Sequence, residues 1–571
     1  MIVEKTGKIL AIFLFISFFF LVFLAGVVRA LREDNLDRNY FKTETIPSYR
    51  GAIVSSDWRT LAQSDRRFNV AFDGRDAENK PLIAKLVAIF ANKSEAEIME
   101  LLNRETRVYL VKDLNALDAK NMQYLSAELD RKGAFKTFII NSNAVRRGLE
   151  IAPAEPPQTR LYEYGSLAQP VIGYVQKSNG EGQMGLERFY EARLKPISEG
   201  AFRAPRDALG NMIYNDRLQY TPSKNGFGLQ LTIDSFLQFD LERLLDKAQL
   251  EYDAAEILCA VMESETGRLI ALAASARYDA ENITSETLPN ARIGAVQYLF
   301  EPGSVMKPFI VALLFEEGIA GQFDLVRGYN GRWTLGRDVI TDTTPREWFS
   351  VEDVIVYSSN IGAAQLAMRL SEYKLFDGLS AFGFSRPTGV DLPYESLGSL
   401  AGLHRYRADI YRATTGYGYG LRVTFMQMLK AYNAFNNGGV MVSPRLVDRL
   451  LGEGAPPLDF EPSARVVSEA TAMKILQILR KTVLRGAAKS AAIDGAFIAG
   501  KTGTARIASG GGYKNDYHNS FFGFANDGER RYAIGVLVID PKKSRSASQS
   551  AAPIFADTAR LLIRHNRLTI K

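Results

Sequence analysis

The stretch Glu301-Pro302-Gly303-Ser304-Val305-Met306-Lys307-Pro308-Phe309 decides how this 571-residue chain is read. Its small, turn-forming lead places Ser304 where a helix should begin. Lys307 follows three residues later, so both side chains fall on one helical face. A serine hydroxyl is a poor nucleophile until a base takes its proton, and a neighbouring amine can be that base.

Alone, Ser-x-x-Lys says little. Ordinary residue usage yields roughly one or two in a chain this long, and a second copy stands at Ser371-Glu372-Tyr373-Lys374. Two further elements add weight: Ser358-Ser359-Asn360 and Lys501-Thr502-Gly503. Each has a decoy, Ser223-Lys224-Asn225 and Lys5-Thr6-Gly7. Only Ser304/Lys307, then Ser358/Asn360, then Lys501-Thr502-Gly503 occur in the order a serine acyl-transfer site needs, and all lie in one region. Ser304 opens a helix, Ser358 follows one, and Lys501 to Thr504 enters a strand. Lys307 serves as base only if its pKa falls, and desolvation and the charge of Lys501 both push it down.

Outward from this region the chain divides by composition. Ile9 to Val28 carries no charge and is dominated by Phe, Leu, Ile and Val. At about 1.5 Å per residue it matches a hydrocarbon core of about 30 Å. It is longer than the apolar region of a cleaved signal peptide and lacks a small-residue cleavage site, so a retained single-span anchor is expected. Lys5 and Lys8 precede it while Arg29, Arg32 and Arg38 follow, so charge bias does not orient it.

Residues 66–146 alternate short strand and helix patterns. Strands are predicted over Phe68–Phe72, Arg107–Leu114 and Lys136–Ile140, with helices behind a Ser94/Glu97 capping box and over Asp118–Lys132. This small α/β lobe has no Gly-rich phosphate loop and reads as structural. Ala152 to Pro157 reads as an extended connector. Arg160 and Glu187 stand in apolar or Gly-rich surroundings, as solvated charges or as a buried pair joining two segments.

A larger domain begins near Gly226. Leu229 to Asp234 is strand-like, Phe236 to Leu250 helical, and Glu256–Met262 with Arg268–Ala274 a hairpin. A long helical region carries Ser304 and Val351 to Ser371. Strands return over Ile498–Ile507, Ser520–Ala525 and Tyr532–Ile539, with Ser509 to Gly512 as a flexible loop, and a helix closes the chain near Pro553–Ile563. Early strands, a helical middle and returning strands make an α+β domain.

Composition excludes other classes. The net charge of +6 comes without the basic, aromatic-interleaved clusters of a nucleic-acid binder, and suits a chain near an anionic bilayer. The lone Cys259 lies in an apolar run and reads as a core residue. His404, His518 and His565 are scattered, with no zinc spacing and no His-based triad. No metal or cofactor is expected.

The three ordered motifs resemble those of penicillin-binding proteins and serine β-lactamases. Arg50-Gly51, Arg160-x-Tyr162-x-x-Gly165 and Gly182-x-x-Gly185-Leu186-Glu187 resemble the pedestal motifs of class B, monofunctional penicillin-binding transpeptidases. Thr232-Ile233-Asp234, Glu301-Pro302-Gly303, and Gly416 to Gly420 with Thr424 and Gln427 fit the same class. The similarity covers essentially the whole chain, and Asn360 favours the division type over the elongation type. Ser55-Ser56-Asp57-Trp58 departs from the family's usual Asp-Arg-Asn-Gly, and Glu163 stands where Pro is common.

The resemblance implies a transpeptidase fold, an antiparallel sheet flanked by helices, preceded by an elongated pedestal and one N-terminal transmembrane helix. The expected division is 1–8 cytoplasmic tail, 9–28 anchor, 29–225 non-catalytic pedestal and 226–571 transpeptidase. The expected activity is D,D-transpeptidation of a peptidoglycan stem pentapeptide at the septum, through an acyl-serine at Ser304 that β-lactams also form. The expected location is the cytoplasmic membrane with the catalytic domain outside. Lys307, Ser358 and Lys501 handle protons, Asn360 holds the donor peptide's amide, and Thr502 and Thr504 suit the substrate carboxylate. Gly503 lets substrate backbone approach the edge strand, and the N–H groups of Ser304 and Thr504 form the oxyanion hole. The implied partners are a membrane-embedded glycan polymerase of the shape, elongation, division and sporulation family, and other divisome proteins.

Three alternatives stand beside this. An elongation-type transpeptidase differs in its place in the cell. A β-lactamase needs a deacylating carboxylate, and no Glu-x-x-Leu-Asn lies between the second and third motifs. A β-lactam sensor fits the motifs, although no additional membrane or cytoplasmic signalling segment accompanies them. The missing acidic motif in the N-terminal half argues against a bifunctional glycosyltransferase.

Overall fold

The computed structural model describes residues 2–32, 40–140, 143–207, 211–509 and 512–570. It falls into two compact units, residues 1–50 with 195–226, and residues 51–194 with 227–571. Gly510 and Gly511 of the expected flexible loop lie outside the described residues.

The first unit holds the helix Ile2–Arg32. Its segment Ile9–Arg29 has a mean hydropathy of 2.9 and buries nothing against the protein. That length and composition suit a membrane span. A three-stranded antiparallel sheet of Phe41–Ile46, Gly200–Pro205 and Gln219–Thr221 accompanies it.

The second unit begins with a six-stranded sheet. Its order is Val447–Leu451, Gly228–Leu231, Ile53–Val54, Thr60–Asp73 and Arg107–Leu114, with Glu150–Tyr162 also paired to Thr60–Asp73. The expected connector at 152–157 is therefore part of a strand. The register shifts between Arg66 and Phe68, opposite the proline run, and such a bulge tolerates residues that cannot donate. Helices Lys80–Ala91, Glu95–Leu102 and Ala116–Arg131 form the small lobe around Ile83, Val87, Leu110 and Phe135. The capping box is present: Glu97 N–H donates to Ser94 Oγ at 3.3 Å, and Ser94 N–H to Glu97 Oε2 at 2.7 Å.

The departures from the family pattern fold into ordinary contacts. Asp57 accepts from Ser235 N–H at 3.0 Å and Ser235 Oγ at 2.7 Å, fixing the start of helix Ser235–Tyr252. Glu163 accepts from Gln63 Nε2 at 2.6 Å. Arg160 and Glu187 form the buried pair, Nε to Oε1 2.7 Å, with side chains 2% and 0% exposed.

The central sheet of this unit has five antiparallel strands in the order Leu269–Ala274, Glu256–Glu263, Arg531–Ile539, Gly512–Asn526 and Phe497–Ser509. Side chains alternate across it. Ile257, Cys259, Val261, Phe521, Val536 and Val538 pack towards helices Ser235–Tyr252 and Ala551–Arg564. Leu258, Ala260, Met262, Phe522, Phe524 and Leu537 pack against the helical middle around Phe309, Phe425 and Tyr432. Both faces are covered, so the strands read as continuous apolar runs rather than alternating ones. Burial pushes the Cys259 thiol up to about 12, as suits a core residue.

The helical stretch expected over Val351–Ser371 is broken. Helix Val351–Val356 ends, Ser358 takes the left-handed backbone (φ 62°), and a new helix runs Asn360–Met368. Ser359 caps the second helix, its Oγ accepting from Gly362 N–H at 2.8 Å, and so competes with helix continuation.

Candidate active site

Ser304 lies in a tight turn of 3-10 helix, Gly303–Met306, that runs into helix Lys307–Glu316. The turn is braced from three sides. Gly303 N–H donates to Gly418 O at 3.0 Å, and a Cβ on Gly418 would stand 2.0 Å from Gly303 O. Gly420 N–H donates to Glu301 Oε1 at 2.8 Å. From beneath, the buried Tyr432 hydroxyl donates to Val305 O at 2.7 Å. The glycine at 418 thus lets one loop lie flush against the turn that carries Ser304. Nothing in the sequence pointed to Tyr432.

Lys307 is fully buried, and its Nζ lies 3.0 Å from Ser304 Oγ, 2.6 Å from Ser358 O, 3.2 Å from Ser358 Oγ and 2.8 Å from Asn360 Oδ1. Its pKa falls well below the ordinary lysine value, first through burial and then through the charge of Lys501, while Asp342 pulls the other way. A neutral amine has two N–H groups and one lone pair. The carbonyls of Ser358 and Asn360 can only accept, so they take the two N–H groups. The lone pair is left for a hydroxyl proton, and Ser304 supplies one.

Lys501 is buried too, and donates to Ser358 Oγ at 2.9 Å and Thr502 O at 3.0 Å. Burial brings its amine down to about 7. Ser358 Oγ therefore bridges the two amines, and its left-handed backbone presents both its carbonyl and its hydroxyl to Lys307. Asn360 also donates from Nδ2 to Thr341 O at 3.0 Å, so its amide is turned with the oxygen towards Lys307.

The third motif lies within the edge strand Phe497–Ser509, which pairs on one side only with Gly512–Asn526. Alternation sends Lys501 and Gly503 to the helical side and Thr502 and Thr504 to the side of the closing helix. A Cβ on Gly503 would meet Ser520 Oγ at 2.5 Å, Val305 Cγ1 at 2.9 Å and Pro302 O at 3.0 Å. Glycine here admits the turn that carries Ser304. Thr504 Oγ1 accepts from Ala547 N–H at 3.1 Å, leaving its own proton to donate elsewhere.

The decoy Ser371/Lys374 proves to be a helix cap: Ser371 Oγ accepts from Lys374 N–H at 3.3 Å, and Lys374 pairs with Glu317. Asp342 was missed by the sequence reading. Its carboxylate accepts from Ser359 Oγ at 2.5 Å, Asn360 N–H at 2.5 Å and Ile361 N–H at 3.1 Å. It stands alone in a polar loop with no motif around it.

Comparison with known proteins places this geometry. Residues 257–560 match the family model of the penicillin-binding protein transpeptidase domain, and residues 45–231 that of the penicillin-binding protein dimerisation domain. The chain is 27% identical over 547 residues to Stage V sporulation protein D of Bacillus subtilis, covering 93% of this chain and 80% of that one. It is 27% identical over 530 residues to the probable peptidoglycan D,D-transpeptidase PenA of Neisseria meningitidis, covering 91% and 85%. The fold is also that of penicillin-binding protein 3 from Mycobacterium tuberculosis, solved with ampicillin, at a TM-score of 0.68, 23% identity and coverage of 92% and 97%. The transpeptidase match alone runs through more than half of the chain, from the first central strand into the closing helix, and the chain belongs to the penicillin-binding protein transpeptidase family.

Proposed function

We propose that this chain is a membrane-anchored peptidoglycan D,D-transpeptidase that works through an acyl-serine at Ser304. The observation that carries this is the line of contacts from Ser304 Oγ through Lys307 Nζ and Ser358 Oγ to Lys501 Nζ, each link between 2.9 and 3.2 Å. As Ser304 Oγ bonds to the penultimate D-Ala carbonyl of a stem pentapeptide, its proton passes to Lys307. The proton then moves by way of Ser358 to the terminal D-Ala nitrogen as the C–N bond breaks. An amine of a neighbouring stem attacks the ester, loses a proton to the same relay, and Ser304 leaves as the restored hydroxyl. The N–H groups of Ser304 and Thr504 hold the developing oxyanion, a contribution commonly worth a few kcal/mol.

The substrate binds along the open edge of the strand at Thr502, Gly503 and Thr504, in the manner of an added strand. The Thr504 hydroxyl, turned by Ala547, donates to the terminal carboxylate. Asn360 holds the donor amide by its Nδ2 once the Thr341 contact yields. β-Lactams acylate Ser304 by the same path. The chain divides into a 1–8 tail, a 9–28 anchor, a 29–225 pedestal and a 226–571 transpeptidase domain, and the site works on the outer side of the cytoplasmic membrane because its substrate lies there. Asn360 in the second motif supports a septal role, with a membrane-embedded glycan polymerase and divisome proteins as partners.

The test uses the full chain in detergent with a stem pentapeptide donor and an amine acceptor. The wild type releases D-Ala and forms the cross-linked product, and Ser304→Ala does neither. Release of D-Ala by both proteins alike would overturn the proposal. Depletion in the cell separates the two class B roles: filaments accord with septal work, and rounded cells with elongation.

A further inference from the structure

We propose that Asp342 is a positioning residue of the acyl-transfer site, clamping the Ser358–Asn360 turn against Lys307 and presenting a negative charge to that amine. This rests on the reading of Ser304 and Lys307 given above. Ser358 is a non-glycine residue at φ 62°, a strained conformation that persists only where its surroundings over-determine it. Internal bonds do part of the holding: Ser358 N–H donates to Ile355 O at 3.2 Å and Ser359 N–H to Val354 O at 3.0 Å.

The rest comes from a separate segment of the chain. Strands Arg332–Leu335 and Asp338–Thr341 form a hairpin that ends at Asp342, whose own N–H is held by Gly331 O at 3.1 Å. From there the carboxylate takes the Ser359 hydroxyl on one oxygen and the N–H groups of Asn360 and Ile361 on the other. These are donors of the first turn of helix Asn360–Met368, which an anion suits by charge as well as by geometry. The preceding residue takes the Asn360 side chain through Thr341 O. One hairpin end thus fixes where the Asn360 oxygen points and where Ser358 sits, and both are contacts of Lys307.

The charged groups facing Lys307 are Lys501, from the edge strand, and Asp342, from this hairpin; Ser304, Ser358 and Asn360 are neutral. Lys501 favours the free amine and Asp342 opposes it. Asp342 therefore gives Lys307 more proton affinity than burial beside Lys501 alone would leave, which strengthens it as a base. The same charge moves the acid limb of the reaction to higher pH.

The experiment measures acylation of the full chain in detergent by a fluorescent penicillin, across acid to neutral pH, for wild type, Asp342→Asn and Asp342→Ala. Asn keeps the size and can still accept the two N–H groups, but carries no charge. For Asp342→Asn the acid limb moves to lower pH. For Asp342→Ala, which removes the clamp as well as the charge, acylation falls about a hundredfold on the neutral plateau, the usual effect of misplacing reacting groups by about an ångström. A purely structural aspartate would lower the rate without moving the limb. An unmoved limb in Asp342→Asn, or wild-type acylation by Asp342→Ala, overturns the inference. Melting curves show whether each variant is folded, and if Asp342→Ala is not, Asp342→Asn decides. A wild type that takes no label would overturn the acyl-serine reading instead.

Discussion

Adding one methyl group at Gly503 tests the packing on which the site depends. A Cβ there would stand 2.9 Å from Val305 Cγ1 and 3.0 Å from Pro302 O. Carbon atoms rest at about 3.5–4.0 Å from one another, so the Val305 contact is short by about 0.6 Å. The third neighbour, Ser520 Oγ at 2.5 Å, can rotate away. The turn cannot easily recede, because Tyr432 holds Val305 O and Gly418 holds Gly303 N–H. The edge strand must give instead, carrying Lys501 away from Ser358 and Thr504 N–H away from Ser304. Overpacking of this kind costs about 1–3 kcal/mol of stability. A displacement of about half an ångström at reacting groups lowers the rate on the order of tenfold. Gly503→Ala is therefore expected to melt earlier than wild type and to be acylated by a fluorescent penicillin about ten times more slowly. Gly512→Ala, where an added Cβ meets nothing within 4 Å, is the control and should match wild type in both. A Gly503→Ala protein with wild-type melting and acylation would refute the reasoning.

Other expectations follow from single contacts. Glu187→Ala leaves the buried Arg160 guanidinium without its partner, and should lower stability by about 3–5 kcal/mol in denaturant titration. Ser371→Ala removes only a helix cap, so it should cost about 1 kcal/mol and leave acylation unchanged, despite the Ser-x-x-Lys pattern. The two buried lysines make stability depend on pH. Burial lowers Lys501 from 10.5 to about 7 and Lys307 well below its ordinary value. Between about 7 and 10.5 the unfolded chain therefore binds more protons, and stability rises with pH across that window. Denaturation midpoints over this range should climb for wild type and less steeply for Lys501→Met.

The fold was legible where one physical signal dominated. The uncharged run Ile9–Val28, the Ser94/Glu97 capping box and the apolar central strands each announce one structure. The site was legible through order: a hydroxyl and an amine at Ser304 and Lys307 mean little until Ser358, Asn360 and Lys501 follow. What escaped depends on distant partners. The break at Ser358 joins the local Ser359 cap to contacts from Lys307 and Asp342, neither adjacent in sequence. Pro156 and Pro157 suggested a connector because local propensity cannot reveal a partner strand that accommodates a bulge. Gly503 also packs against the turn that carries Ser304, and sequence does not say which neighbour stands beside a glycine. Asp342 and Tyr432 belong to no motif, and only the folded chain brings them to the turns around Ser304 and Ser358.

The central claim is that Ser304 is the residue that becomes acylated, and mass spectrometry tests it most directly. The full chain in detergent is incubated with benzylpenicillin, its intact mass taken, and the adduct located by digestion. One added penicilloyl group is expected, carried by the peptide holding Ser304 and absent from Ser304→Ala. An adduct on any other residue, or none on the folded wild type, would contradict it.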